Sequence, residues 1–327
     1  MFGNKLLSDS RRVRRKLVAC LLIIFPLLWS CSRDGDIPVV DFSKTVSIEK
    51  PHQNPEDRST TMRVAVGAMV SPQETFVYYR ELLDFLRGKT GRTAELIQRK
   101  TYGEINELLG RGRIDIAFIC SGPFAKGREM HGFEPLAVPI TGDSPFYRSY
   151  LIVKDEAFQS LADLKGRTFA FTDPESNTGK LVPTFWLAQM GESPERYFEK
   201  IIYTYSHDNS ILAVSKGLVD GAAVDSLIWE YYHTAKSALT ASTRVIKRSE
   251  PYPIPPIVAS RSFPEEGRRQ VSEALLKMHE DPEGRRILDR LAIERFILPP
   301  AEWFEGFNKI ETMLALAEGK IHGLEKP

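Results

Sequence analysis

Ser176, Asn177, Thr178 and Gly179 stand together between an apolar run, residues 167–172, and a helical pattern. That pattern carries Leu181, Val182, Phe185, Trp186 and Leu187 and stops at Gly191. Short polar side chains and a glycine at the mouth of a helix make an anion cradle. The first backbone N–H groups of a helix lack internal partners, and its dipole is positive there. Ser176 and Thr178 would add hydroxyl donors, and Gly179 would let the backbone approach a ligand. The plainer reading is a cap, in which Ser176 accepts from a first-turn amide. Pro183 fits either, since proline is tolerated early in a helix. A hydrolase built on Ser176, His207 and Asp225 has the residue types for nucleophile, base and orienter. No Gly-x-Ser-x-Gly elbow surrounds Ser176, however.

The elements that must position these residues alternate. Residues 63–67, 94–98 and 113–120 read as strands, and 74–87 as an amphipathic helix. Thr101 and Glu104 form a capping box that opens a short helix to Leu109. The alternation continues through 133–140 and 147–153, which predicts an α/β fold with a largely parallel sheet. Ligands in such sheets sit at the carboxyl ends of strands, where Met69, Ser71, Ser121 and Ser176 all fall. Residues 107–117 and 213–223 echo each other: a helix end, a glycine, then an aspartate-bearing strand. Two such units a hundred residues apart suggest two similar lobes. From Phe263 on the pattern is helical, with residues 265–279 and 282–291 amphipathic. Trp303, Phe304, Phe307, Ile310, Met313 and Leu314 at helical spacing read as a packed helix rather than a cofactor box.

Residues 1–30 read as an export signal. Arg11, Arg12, Arg14, Arg15 and Lys16 precede an apolar stretch, residues 17–29, too short for a membrane span of about 20 residues. The run ends Leu28-Trp29-Ser30-Cys31, similar to a bacterial lipobox, so Cys31 is the expected lipid attachment site and the bilayer a partner. Cys20 would leave with the signal, and Cys120, within an apolar run, reads as a core residue without a disulfide. Residues 31–61 are polar, proline-bearing and aperiodic, a tether. Beyond residue 30 there remain 38 basic and 42 acidic residues, a net charge of −4, which gives no bias toward nucleic acid. The six histidines are scattered without ligand spacing, so neither metal nor cofactor is expected.

Several stretches together carry a family resemblance. They are Tyr150-Leu-Ile-Val-Lys-Asp-Glu; residues 160–179 with Pro183; His207-Asp-Asn-Ser-Ile; and Gly217-Leu-Val-Asp-Gly-Ala-Ala-Val-Asp225. With Thr101-Tyr102 and Gly112-Arg-Ile-Asp115 upstream, they resemble the phosphate/phosphite/phosphonate substrate-binding proteins of ABC importers over most of residues 62–300. The resemblance implies a two-lobed type II periplasmic-binding-protein fold. Each lobe would be a mostly parallel sheet flanked by helices, with two hinge crossovers. Lobe one would be 62–144 plus 256–327 and lobe two 147–249. It implies a non-enzymatic, monomeric, lipid-anchored protein on the periplasmic side or cell surface, serving a membrane permease. An alternative with the same lobes is a ligand-sensing partner of a membrane signalling protein. The implied ligand is an oxyanion held by Ser176, Asn177, Thr178, Gly179 and His207 from lobe two, and by Tyr102 and Ser121 from lobe one. Asp225 and Glu230 would either meet a ligand amine or be solvated. No acidic residue lies among 252–258, where some aminophosphonate binders carry one.

Overall fold

The first strand, β1 (Thr61–Val66), buries Met62, Val64, Ala65 and Val66 almost completely, as an interior strand covered on both faces must. The structure, a computed structural model, describes residues 61–67, 72–235 and 237–317. The signal, the tether apart from Thr61, Cys31, Met69 and Ser71 therefore lie outside the described residues, and Thr61, expected in the tether, already belongs to β1. After β1 come α1 (Pro72–Thr90), β2 (Thr93–Ile97), α2 (Tyr102–Gly110), β3 (Ile116–Phe118), α3 (Ser121–His131) and β4 (Glu134–Ile140). The chain then crosses through β5 (Phe146–Tyr147) into β6 (Ser149–Val153), β7 (Thr168–Phe171), α4 (Val182–Gln189) and β8 (Lys200–Tyr203). There follow α5 (His207–Ser215), β9 (Gly221–Asp225), α6 (Ser226–Ala235) and β10 (Arg244–Arg248). A second crossing, β11 (Tyr252–Pro253), returns it to β12 (Ile257–Ala259), α7 (Glu265–Leu276), α8 (Pro282–Arg290), β13 (Arg295–Ile297) and α9 (Phe307–Ala317).

The strands form two sheets, ordered β13-β4-β12-β3-β1-β2 and β10-β6-β9-β7-β8. This is the two-lobed α/β fold of type II periplasmic binding proteins, two sheets flanked by helices. Each sheet is mixed. β1 runs parallel to β2 and β3, and β7 to β8 and β9, while the other pairs are antiparallel. A mostly parallel sheet is what simple alternation suggests; here β6 and β12, which follow a crossing, enter their sheets in the opposite sense. The two crossings pair with each other, Tyr252 opposite Tyr147 and Pro253 opposite Phe146.

The sequence echo has a structural basis. In the first sheet Asp115 N–H donates to the Arg63 carbonyl (2.9 Å), and its carboxylate accepts from Arg63 N–H (2.8 Å). In the second Asp220 N–H donates to the Thr168 carbonyl (3.0 Å), and its carboxylate accepts from Thr168 N–H (2.8 Å). Gly112 and Gly217 precede them at φ +64° and +68°, the left-handed turn that ends each helix. Strand β3 is shorter than the expected 113–120, because Asp115 closes its start and Ile119 N–H turns to the Pro256 carbonyl (3.2 Å).

The capping box at Thr101 and Glu104 forms as expected. Trp303, Phe307, Ile310 and Met313 are buried, and Phe124 of α3 meets the rings of Trp303 and Phe307 at 5.4 and 5.1 Å. Trp303 Nε1–H donates to the Ile254 carbonyl (3.1 Å), so the C-terminal segment braces the second crossing.

Candidate functional site

Strand β7 delivers Thr172 and Asp173, both fully buried, to the turn that precedes Ser176. Ser176 Oγ accepts from Gly179 N–H at 3.0 Å, so Ser176 does cap the turn that follows. Asn177–Leu181 make one π-type turn before α4, a geometry common where backbone is shaped for a ligand. Asn177 and Thr178 occupy the first turn, where no preceding carbonyl serves the amides. Gly179 admits no side chain: a Cβ there would lie 2.4 Å from Thr172 Oγ1. Thr178 is fixed by its carbonyl, which accepts from Ser149 Oγ (2.6 Å), leaving Oγ1 buried without a partner among the described residues.

His207 opens α5 behind Ser206, whose hydroxyl caps the helix on Asn209 N–H. The imidazole is fully buried. Nδ1 accepts from Asp225 N–H (3.0 Å) and lies 3.1 Å from Thr172 Oγ1. Burial holds its pKa down, from 6.5 to about 3, so the ring is neutral. With Nδ1 accepting a backbone hydrogen, the ring proton sits on Nε2. Nε2 has no partner among the described residues.

Tyr102 is the first residue of α2, and its N–H donates to Asp173 Oδ2 across the two sheets (3.1 Å). Its buried ring packs on Cys120, and its hydroxyl also lacks a partner among the described residues. Burial, then the neighbouring Cys120, Asp173, Asp225 and Tyr147, push the phenol well above its usual pKa, so it keeps its proton. Asn177 Oδ1 is likewise unpaired, while its Nδ2 donates to Tyr147 Oη (3.3 Å). The result is a fully buried group of neutral donors: a phenol, a hydroxyl and an imidazole N–H, beside the first-turn amides.

Ser121 is differently engaged. Its hydroxyl donates to the Pro253 carbonyl (2.6 Å) and lies 3.1 Å from Tyr147 Oη, tying α3 to both crossings. Cys120 beneath it stays a thiol, its pKa pushed up to about 11 by burial. Asp225 does not orient His207 through its carboxylate, which accepts instead from Leu227 N–H (2.7 Å). The Ser-His-Asp relay that the residue types permit is therefore not built. Glu230 is exposed, in keeping with the solvated alternative, and accepts from the Tyr150 hydroxyl.

Three residues without a sequence signal of their own shape the site: Thr172, which supports His207 and crowds Gly179; Tyr147; and Asp173. Burial pushes Asp173 up to about 6 despite amide donors from Glu175 and Tyr102. Lys126 of α3 pairs with Glu175 (2.5 Å) beside it, and a Cβ on Gly122 would lie 2.6 Å from the Glu175 carbonyl. The two sheets are thus in close contact around the cluster.

A family described as the periplasmic substrate-binding protein of ABC phosphonate transporters matches residues 64–304. The chain belongs to this family. It is 31% identical over 164 residues to the phosphate-import protein PhnD of Mycolicibacterium smegmatis, covering 46% of this chain and half of that relative. It is 23% identical over 256 residues to the phosphonates-binding periplasmic protein of Escherichia coli, covering 76% of this chain and 75% of that one. Among solved structures, a binding component of an ABC phosphonate transporter from Pseudomonas aeruginosa superposes with TM-score 0.74 at 21% identity, covering 81% of this chain and 90% of the other. PhnD1 of Prochlorococcus marinus, in complex with methylphosphonate, superposes with TM-score 0.70 at 18% identity, over 80% and 99%. These relatives are substrate-binding proteins, not enzymes.

Proposed function

We propose that this chain is the solute-binding component of an ABC importer and takes a phosphate-, phosphite- or phosphonate-like oxyanion between its two sheets. One observation carries the reading. The Tyr102 hydroxyl, Thr178 Oγ1 and His207 Nε2 are buried donors without an acceptor among the described residues. Each such group costs on the order of 1–3 kcal/mol when left unmet. A tetrahedral oxyanion supplies the missing acceptors. Neutral donors and first-turn amides solvate its charge without a permanent counterion, which suits release. Ser176 and Gly179 shape the turn, Asn177 braces Tyr147 through Nδ2, and Ser121 holds the crossings beside it. The mycobacterial relative's name and the methylphosphonate in the Prochlorococcus structure support a phosphorus oxyanion as the class.

The ligand would bridge lobe one (62–144 with 256–327) and lobe two (147–249), a division supported by the two sheets and the paired crossings. Bound anion would stabilise the closed form that a permease recognises. Cys31 would carry the lipid, and residues 31–60 would form the tether of a monomer at the membrane surface.

Calorimetric titration of the full chain with phosphate, phosphite, methylphosphonate, 2-aminoethylphosphonate, sulfate and taurine tests this. We expect micromolar or tighter binding of a phosphorus oxyanion, weakened tenfold or more in Thr178→Val and His207→Asn. Binding unchanged in both variants, or none across the panel, would refute it.

A further inference from the structure

The unpaired atoms of the cluster are not all donors. Tyr102, Thr178 and His207 each offer a hydrogen, but Asn177 Oδ1 is an acceptor, buried and without a partner among the described residues. A bare oxyanion has only lone pairs to give, and leaves that oxygen unmet. The orientation of the amide follows from its neighbours. Ser121 has one hydroxyl hydrogen, and the Pro253 carbonyl takes it (2.6 Å). At the 3.1 Å contact between Ser121 Oγ and Tyr147 Oη the hydrogen is therefore that of Tyr147. Tyr147 Oη is left to accept, and Asn177 Nδ2 donates to it (3.3 Å). Oδ1, not Nδ2, is thus the free end of the amide. Contacts join it to the donors at each step. Asn177 and Thr178 are consecutive in one turn, and Thr172 links Gly179 to His207. Tyr147 lies 3.7 Å from Cys120 Sγ, on which the Tyr102 ring packs.

The charge around the cluster points the same way. Among the described residues no lysine or arginine hydrogen-bonds to the side chains of Tyr102, Asn177, Thr178 or His207, and the imidazole is neutral. Two buried carboxylates flank it instead. Asp173 accepts from the N–H groups of Tyr102 and Glu175 (3.1 and 2.8 Å), and Asp225 from that of Leu227 (2.7 Å). A second negative charge on the ligand would be buried beside them with no cation to match it. A monoanion that keeps an acidic hydrogen meets both conditions.

We propose that Asn177 is a specificity-determining residue: its Oδ1 accepts the P–OH hydrogen of a monoanionic phosphonate or phosphate, so the site tells an oxyanion that carries a hydrogen from one that does not. The proposal rests on the oxyanion reading above and names the protonation state in which that same site takes its ligand.

The test is calorimetric titration of the full chain at pH 6 with methylphosphonate and methanesulfonate. Both are then monoanions of nearly the same shape, and they differ by the one hydrogen. Phosphate and sulfate make a second pair, which differs in hydrogens and in charge. A site built to hydrogen-bond a ligand hydroxyl strongly rejects the analogue that lacks it, so the phosphorus anion is expected to bind at least about a hundredfold more tightly than its sulfur counterpart. Asn177→Thr, whose hydroxyl can donate as well as accept, and Asn177→Leu, which does neither, should bring that ratio below about tenfold. Simple damage to the turn would weaken both members of a pair alike and leave the ratio where it was. Near-equal affinities in the unaltered chain would overturn the role of Asn177 and leave the oxyanion site standing. So would a ratio that survives in both variants, or variants that bind neither member of a pair. Silence from all four anions in the unaltered chain would remove the oxyanion reading and this inference with it.

Discussion

His207→Asn separates the two roles that the structure assigns to the imidazole. Asparagine keeps an acceptor near Nδ1, able to meet Asp225 N–H, and removes the outward Nε2–H. A hydrogen bond to a charged group contributes about 1.5–3 kcal/mol, so oxyanion affinity at pH 7 should fall roughly 10- to 100-fold. The same substitution has a signature in stability. The folded protein holds His207 neutral down to about pH 3, whereas the unfolded chain protonates it near 6.5. A histidine depressed in this way gives stability that is present above pH 6.5 and lost as pH falls toward 3. Between pH 7 and pH 5 the wild-type term shrinks by about 2 kcal/mol, because below 6.5 each unit is worth about 1.4 kcal/mol. The variant lacks that term. Urea unfolding at pH 7 and pH 5 should therefore show the gap between the two proteins narrowing by about 2 kcal/mol on acidification. The comparison cancels the contributions of Asp173 and Asp225, whose raised pKa values act in the opposite direction. A gap that does not change with pH, together with unaltered anion affinity, would refute both the buried neutral ring and its outward donor.

Other outcomes follow from neighbouring contacts. Asp225, raised to about 7 by burial, holds a proton that the unfolded chain releases near 3.8, so its contribution is lost as pH rises toward 7. Asp225→Asn should be the more stable protein at pH 8, on the order of 2–4 kcal/mol by denaturant unfolding, and should bind anion with less pH dependence in calorimetry. Gly122→Val would drive a side chain into the Glu175 carbonyl between the sheets; we expect a melting temperature close to wild type without ligand, but affinity lowered at least tenfold. Gly179→Ala, whose Cβ would meet Thr172 Oγ1, should cost about 1–3 kcal/mol in unfolding free energy. Lys126→Ala removes a half-exposed pair with Glu175 and should weaken anion binding by no more than about fivefold, with most of the effect gone in high salt.

Much of the architecture was legible because its signals are local. The Thr101 and Glu104 capping box, the Ser176 cap and the two helix–glycine–aspartate units need only short-range chemistry, and each forms where the sequence places it. Sheet direction was less legible. Strands β6 and β12 are antiparallel to their neighbours because each follows a crossing, and no property of residues 149–153 or 257–259 records the end from which the chain arrives.

At the site the division is similar. Residue types alone determined that a polar turn with glycine precedes a helix, and that Ser, Thr and His were at hand for an anion. Which polar atoms stay without a partner was decided only by the tertiary structure. Ser121 spends its hydrogen on Pro253, 132 residues away, whereas Thr178 keeps its hydroxyl unmatched. Asp225 looks in sequence like an orienter for His207; folding brings its backbone N–H, not its carboxylate, to the ring. Hydrogen-bond satisfaction depends on groups brought together from distant parts of the chain. Local propensity is written residue by residue, but burial and pairing exist only once the two sheets meet.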